Sequence, residues 1–362
     1  MKSKKGVVSI QFNWVFILIA GAAILLFFFS VVQWQKKASE SKVNVAVLTN
    51  LDTIFTGVKT TESSTNIITI PKTEVSFDCN NYFIGSTKKQ IKARTIFSPD
   101  LIKGTRILTH TLSWNAPFKI TNFLYLTSPQ IRYILVEDPT IPPSGNLLSD
   151  INKSLPPKYM KLKEKQELAM NKEIWDKFNL DVQDENNYKV KFIFFNTGAT
   201  GPELDTALNN LANMPDADVT AIEINEPDEI KFYQKDGSTF SYKGTSYYLG
   251  KEAIIAAIFS ENSEMYNCSI QKAFKQLAIT SKIYHNRSFN LMNHYLDITP
   301  KNYPCASHHT KAAQKLDTIS AHSEQISEGV DVKNEAERLV GDISELQFHN
   351  NNANINSCVL VY

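Results

Sequence analysis

The chain opens with a block of apolar positions that nothing later in it matches. From Trp14 to Val32 no residue is charged, and Gly21 and Ser30 are the only breaks in its apolar character. About 20 residues at about 1.5 Å each span about 30 Å, the hydrocarbon thickness of a bilayer. Trp14 and Trp34 bracket the run, as interfacial aromatic residues do, and lysines flank it on both sides. A cleavable export signal has a shorter apolar stretch that ends at a small-residue cleavage site. Here the stretch ends in Phe27-Phe28-Phe29 and passes into Val-Val-Gln-Trp-Gln-Lys-Lys. The pattern predicts a helix that stays in a membrane.

The periodicity then changes without a break. Val47, Leu51, Ile54, Phe55 and Val58 recur at three- and four-residue spacing, an amphipathic stripe, and no proline occurs before Pro71. This predicts one helix from about Val7 to about Lys59, roughly 80 Å long, with one half in lipid and the other packed on a folded head. Thr60 to Thr65 reads as a polar joint.

Beyond the joint the pattern shortens to strand length. "NIITI" and "EVSF" flank Pro71, and "QIKARTIF", "RILTHTLSW", "FKITNFLYL" and "IRYILVE" follow, each rich in β-branched and aromatic residues. They predict a mostly antiparallel β module over residues 66–140, ended by "DPTIPPSG". Residues 145–178 read as two helical pieces separated by Pro156-Pro157, the second a heavily charged, solvated one. "YKVKFIFF" is a buried-strand signal. With the Pro202-led helical stretch carrying Leu204, Leu208 and Leu211, and with "DVTAIEI", it predicts a β-α-β unit. "IKFYQKDGSTFSY" predicts a hairpin with Asp236-Gly237 in its turn. Helices are expected at about 251–260, 264–295, 308–326 and 331–347, and "SCVLVY" as a last strand. The division is 1–12 cytoplasmic, 13–34 transmembrane, 35–65 stalk and joint, 66–140 β module and 141–362 an α+β module. The fold class is α+β.

With 362 residues there is room for one large or two ordinary domains behind the apolar segment, and the net charge of +1 gives no electrostatic basis for nucleic acid as a partner. The lysines before and after the apolar run nearly balance, so charge alone does not orient it. Four cysteines, Cys79, Cys268, Cys305 and Cys358, all follow the run, and Asn152, Asn267 and Asn286 stand in Asn-x-Ser sequons. Disulfides and sequons both suit an exported C-terminal part. Four cysteines allow three pairings. The expected one is Cys268–Cys305, stapling a helix start to the following loop, with Cys79–Cys358 holding the C-terminus to the β module.

Catalytic motifs are absent. The Gly198-Ala-Thr-Gly201 loop has the place of a phosphate-binding turn, but Glu203 and Asp205 already occupy the helix start and no Lys-Ser/Thr follows. Cys305-x-x-His308-His309 is expected in a loop and lacks a second ligand pair. His294-x-x-Asp297 fits one helical face, a common spacing. Accordingly no catalytic residue, metal ligand or cofactor is assigned.

Lys4-Lys5-Gly6 before Val-Val-Ser-Ile-Gln resembles the class III signal of type IV pilin-like proteins. That resemblance implies cleavage after Gly6 by a prepilin peptidase, with the apolar helix kept. In such proteins the fifth mature residue is usually glutamate, which neutralises the amine of a neighbouring subunit. Counted from Val7, the fifth residue here is Gln11, polar but uncharged. The resemblance covers about the first 35 residues, and an ordinary signal-anchor needs no such processing. The "FNWVFILIAGA" segment also resembles that of archaeal single-pass surface proteins without an assigned activity. The expected function is a membrane-anchored extracytoplasmic structural or interaction protein, with a pilin-like subunit as its narrower form, and the expected partners are the lipid bilayer, copies of itself or other surface proteins. The alternatives are a surface-anchored hydrolase and a ligand-binding receptor ectodomain.

Overall fold

The computed structural model describes residues 6–58, 62–91, 95–137, 147–162, 165–177, 187–195, 208, 210–225 and 227–362, without the side chains of residues 6–13, 40, 41 and 58. The first element is one unbroken helix, α1 (Gly6–Val58), of 53 residues, about 80 Å long. With no proline to break its ladder, the helix runs from the apolar block straight into the amphipathic stripe. Val47, Leu48, Leu51 and Phe55 are buried in the head. Ile54 is half-buried, the buried stripe also includes Leu48, and the side chain of Val58 lies outside the described residues.

Two six-stranded sheets follow. The first has the order β3-β2-β1-β5-β6-β4, built from β1 (Thr65–Phe77), β2 (Asn81–Ile84), β3 (Thr87–Gln90), β4 (Ile96–Phe97), β5 (Leu101–Asn115) and β6 (Lys119–Thr127). It is antiparallel except for β4 beside β6. Pro71 has no N–H to give a ladder, and the pairing of β1 with β5 slips between Thr69 and Thr73. The helix α1 lies against β2, β3 and β6. Its four buried residues share a core with Val75, Tyr82, Ile102, Ile107 and Leu126.

The second sheet has the order β10-β7-β11-β12-β13-β14. Its strands are β7 (Ile131–Glu137), β10 (Asn171–Asp176), β11 (Lys189–Phe195), β12 (Val219–Asn225), β13 (Glu229–Asp236) and β14 (Thr239–Tyr247). β10, β7, β11 and β12 run parallel, and β12, β13 and β14 antiparallel. The β11–β12 pairing bears out the parallel unit. Leu208 and Leu211 of its connection are buried against Phe192 and Phe194, while Gly198–Gly201, Pro202 and Leu204 lie outside the described residues. The β13–β14 hairpin turns at Gly237, whose φ of +63° suits a glycine.

Three expectations need correction. The sheet boundary falls before β7, not near residue 140. All of Ile131–Val136 is buried, and a strand apolar on both faces belongs inside a covered parallel sheet. The charged stretch after Pro157 forms strands rather than a helix: β8 (Tyr159–Leu162) pairs with β9 (Lys165–Leu168), and β10 with β7. Its helix-forming residue types are overridden by a partner strand. An ion pair at that edge, Arg132 Nη2 to Glu173 Oε2 at 2.7 Å, clasps β10 to β7. Finally, the terminal "SCVLVY" pairs with no sheet. It is an extended strap, held where Asn350 Oδ1 accepts from the Val361 N–H (2.9 Å) and Tyr295 Oη accepts from the Val359 N–H (2.8 Å).

Helix α2 (Leu147–Ser154) precedes β8. Helix α3 (Lys251–Phe259) is buried from Ala253 onward and touches β4, β5 and β6 of the first sheet and β12 of the second. Apolar on every side, it fills the space between the sheets. Three long helices complete the fold: α4 (Ser263–Asp297), α5 (Tyr303–Glu328) and α6 (Val332–Ile355). Asn262 and Asn302 cap α4 and α5, their side chains accepting from the Met265 and Cys305 N–H groups. One core runs through both sheets, α3 and these helices.

Candidate functional site

The feature that sets this molecule apart is the division of α1. Its first half lies outside every core: Trp14, Phe16, Leu25, Phe27 and Trp34 are each more than 60% exposed. Scattered apolar side chains on a surface are ordinary, but a continuous apolar rod is not. Among the described residues this is the one helix long and apolar enough to cross a membrane. Gly6, Val7 and Gln11 lie in the helix's first turns, and Lys5 lies outside the described residues.

The second half of α1 is seated firmly. Phe55 meets Tyr82 edge to face, and Tyr82 stacks on Phe77. Tyr82 Oη donates towards Asp52 Oδ1 at 3.3 Å, and Lys89 Nζ reaches Asp52 Oδ2 at 3.0 Å. The seat thus has an apolar floor and a charged latch at its rim.

All four cysteines form disulfides, but the pairs are Cys79–Cys268 and Cys305–Cys358. This corrects the expected pairing. Cys268 sits near the start of α4 and Cys305 follows the far end of that helix. The 29 helical residues between Cys268 and Asp297 span about 44 Å, whereas a disulfide needs Cα atoms within about 7 Å. Cys79 instead ties the β1–β2 turn to α4. Cys358 ties the terminal strap to the first turn of α5.

The sequons differ in access. Asn152 is half-buried in α2, and its carbonyl accepts from Lys172 Nζ at 2.7 Å. Asn267 is half-buried in α4, and Ser269 beside it is buried with its hydroxyl on the Ile96 carbonyl (2.7 Å). Asn286 is exposed on α4.

The histidine pair lies in helix α5, not in a loop. Neighbouring helical residues point about 100° apart, and these two separate accordingly. His309 is buried and stacks on Tyr295 with ring centroids 5.5 Å apart. Burial holds its pKa below the usual value. His308 turns to His349 and Asn356. Among the described residues no three His, Cys, Asp or Glu side chains converge as a metal site.

Two buried lysines were missed in the sequence, where they read as the polar half of "YKVKFIFF". Lys189 reaches Glu261 Oε1 at 2.7 Å and Asp100 Oδ1 at 2.8 Å. Burial opposes its charge, but Glu261 and Asp100 outweigh that and raise its pKa. Lys191 Nζ donates to the Ala257 and Ser260 carbonyls at the C-terminal end of α3, and burial pushes it down to about 7. A cation there suits the negative end of the helix dipole. Lys191 ties the second sheet to the end of α3, and Lys189 ties it to Glu261 just beyond that helix and to Asp100 just before β5, which gives both a structural task.

Comparison with protein-family models, with curated proteins and with solved structures returns no match.

Proposed function

We propose that this chain is a membrane-anchored structural or interaction protein whose folded part stands outside the cytoplasm, organised like a pilin-like surface subunit. The observation that carries this reading is the division of α1: one unbroken helix is apolar and uncovered over Trp14–Val32 and becomes part of the head's core at Val47–Phe55. A lipid phase accounts for the first half, since nothing else on the molecule covers it. Two disulfides, with no free cysteine, support an oxidising compartment for the head. Lys4-Lys5-Gly6 is the feature that favours the pilin-like variant, whereas Gln11 stands where such heads usually carry glutamate and a plain anchor fits the same helix.

The anchor is tested by alkaline carbonate extraction of native membranes. The full-length chain is expected in the pellet, and its recovery in the soluble fraction refutes the anchor. Processing is tested by intact-mass analysis of the native protein. A mature chain beginning at Val7 supports the pilin-like head. One beginning at Met1 or Lys2, in a cell with active prepilin peptidase, leaves an ordinary signal-anchor. In a processed chain Gln11 offers the new amine only a hydrogen bond, so Gln11→Glu is expected to strengthen self-association.

A further inference from the structure

Helix α4 leaves one flank in solvent, and that flank is apolar where a solvated helix is normally polar. Ile279, Ile283 and Phe289 are 55%, 62% and 48% exposed. Counted from Asn286 they stand seven and three residues before it and three after, spacings that share one helical face. All three lie within about 10 Å of Asn286 along the axis. A lone exposed isoleucine is ordinary, whereas three apolar side chains grouped on one face mark a surface that something covers.

The sequence names the cover. Asn286 stands amid the three, is itself exposed, and opens the sequon Asn286-Arg287-Ser288. The other two acceptors, Asn152 and Asn267, are half-buried. The one sequon asparagine that faces solvent is thus the one ringed by uncovered apolar residues.

Ser288 decides when such a modification is made. Residues two apart on a helix point about 200° apart, so Asn286 looks outward while Ser288 looks into the protein. Ser288 is buried, and its hydroxyl donates to the His309 carbonyl at 3.0 Å. An enzyme that reads both residues of the sequon cannot meet them together on the folded helix. Transfer therefore precedes the folding of α4, and the finished helix carries the product without a clash because Asn286 points away from the core.

We propose that Asn286 carries an N-linked glycan whose inner sugars lie over Ile279, Ile283 and Phe289. The donor is an oligosaccharide joined through its anomeric carbon to a lipid phosphate. The bond from that carbon to the phosphate oxygen breaks, the bond to Asn286 Nδ2 forms, and the amide proton leaves with the lipid phosphate. Sugar rings offer C–H faces to the apolar side chains and keep their hydroxyls in water. The inference rests on the head lying outside the cytoplasm.

The test takes the native protein from membranes of its own host, isolated without reductant, and maps glycans and disulfides on the same digest by mass spectrometry. A glycan is expected on the Asn286 peptide, and none on those of Asn152 and Asn267. Asn286→Gln is expected to lower the intact mass by that one glycan and leave the melting temperature unchanged. An unmodified Asn286 in a chain with both disulfides formed overturns the proposal and leaves the topology standing. An unmodified Asn286 beside free thiols overturns both. The cover itself is tested by salting out the full-length chain, one copy per nanodisc. Asn286→Gln is expected to precipitate at lower ammonium sulfate than the glycosylated chain, because that salt strengthens the burial of bare apolar surface. Adding Ile279→Ser and Ile283→Ser to that variant is expected to raise the midpoint again. A midpoint that Asn286→Gln does not lower, or that the serine pair does not raise, refutes a glycan lying over this face.

Discussion

Phe55 and Tyr82 meet edge to face with ring centroids 5.6 Å apart, and neither has measurable exposure. This contact seats the long helix on the first sheet. Truncating a buried phenylalanine costs about 3–5 kcal/mol. Phe55→Ala is therefore expected to destabilise the head by that amount in denaturant titrations of the solubilised protein. Val45→Ala, on the same helix but exposed, is expected to stay within about 0.5 kcal/mol. Equal effects at the two positions would show the helix seated on another face.

Peptide mapping without reductant is expected to recover Cys79 linked to Cys268 and Cys305 linked to Cys358. The pairs close loops of 189 and 53 residues in sequence separation. Chain entropy then allows about 5 and about 4 kcal/mol respectively. Replacing both members of a pair by alanine should cost up to those amounts. Free thiols in protein isolated without reductant place the head in a reducing compartment and reverse the proposed topology.

His110 is a sensor of acid. Its Nε2–H donates to the Ser154 carbonyl (3.1 Å), so Nδ1 accepts from the Thr65 hydroxyl (2.8 Å). Both bonds suit the neutral ring, and burial pushes its pKa down to about 4. An unfolded histidine titrates near 6.5. Between these values the unfolded chain binds more protons, so stability is complete above about pH 6.5 and falls as the pH drops towards 4. The loss from this one group amounts to up to about 3 kcal/mol. His110→Gln removes the titration, and its stability should fall correspondingly less over that interval in urea titrations at pH 7, 5.5 and 4. Parallel profiles for the two proteins would refute the assignment.

Asn267 is expected to be found unglycosylated in any host that modifies sequons. Asn267 is half-buried and lines a cavity between β14 and helices α4 and α6, and Ser269 is buried on the Ile96 carbonyl, so an attached glycan is incompatible with α4 as packed. A natively disulfide-bonded chain carrying a glycan at Asn267, detected by glycopeptide mass spectrometry, contradicts this packing.

Local pattern carried the helix–sheet core of the fold. The extent of α1 followed from the missing prolines and the switch from an apolar block to a stripe, and the β13–β14 hairpin from Asp236-Gly237. What failed was decided by partners far away in sequence. The helix-forming stretch around Lys172 became a strand because β7 lies open beside it. The terminal "SCVLVY", strand-like by composition, found no sheet edge and was strapped instead by Asn350, Tyr295 and Cys305. Cys268 and Cys305 follow each other in the chain, yet the helix between them holds them apart. The cavity between β14 and helices α4 and α6 left no trace in the sequence, because its walls come from segments nearly a hundred residues apart.

The unbroken course of α1 also fixes an azimuth. A shaft with no joint between its apolar half and Phe55 transmits torsion as well as tension, so the direction in which the head faces is set by the number of residues between the two halves. Inserting one residue near Lys37 turns the head by about 100° about the shaft and lifts it by about 1.5 Å, while four residues return it nearly to phase. Copies of this chain standing side by side would all present the same flank to their neighbours, and residue count, rather than any contact within the head, would choose which flank that is.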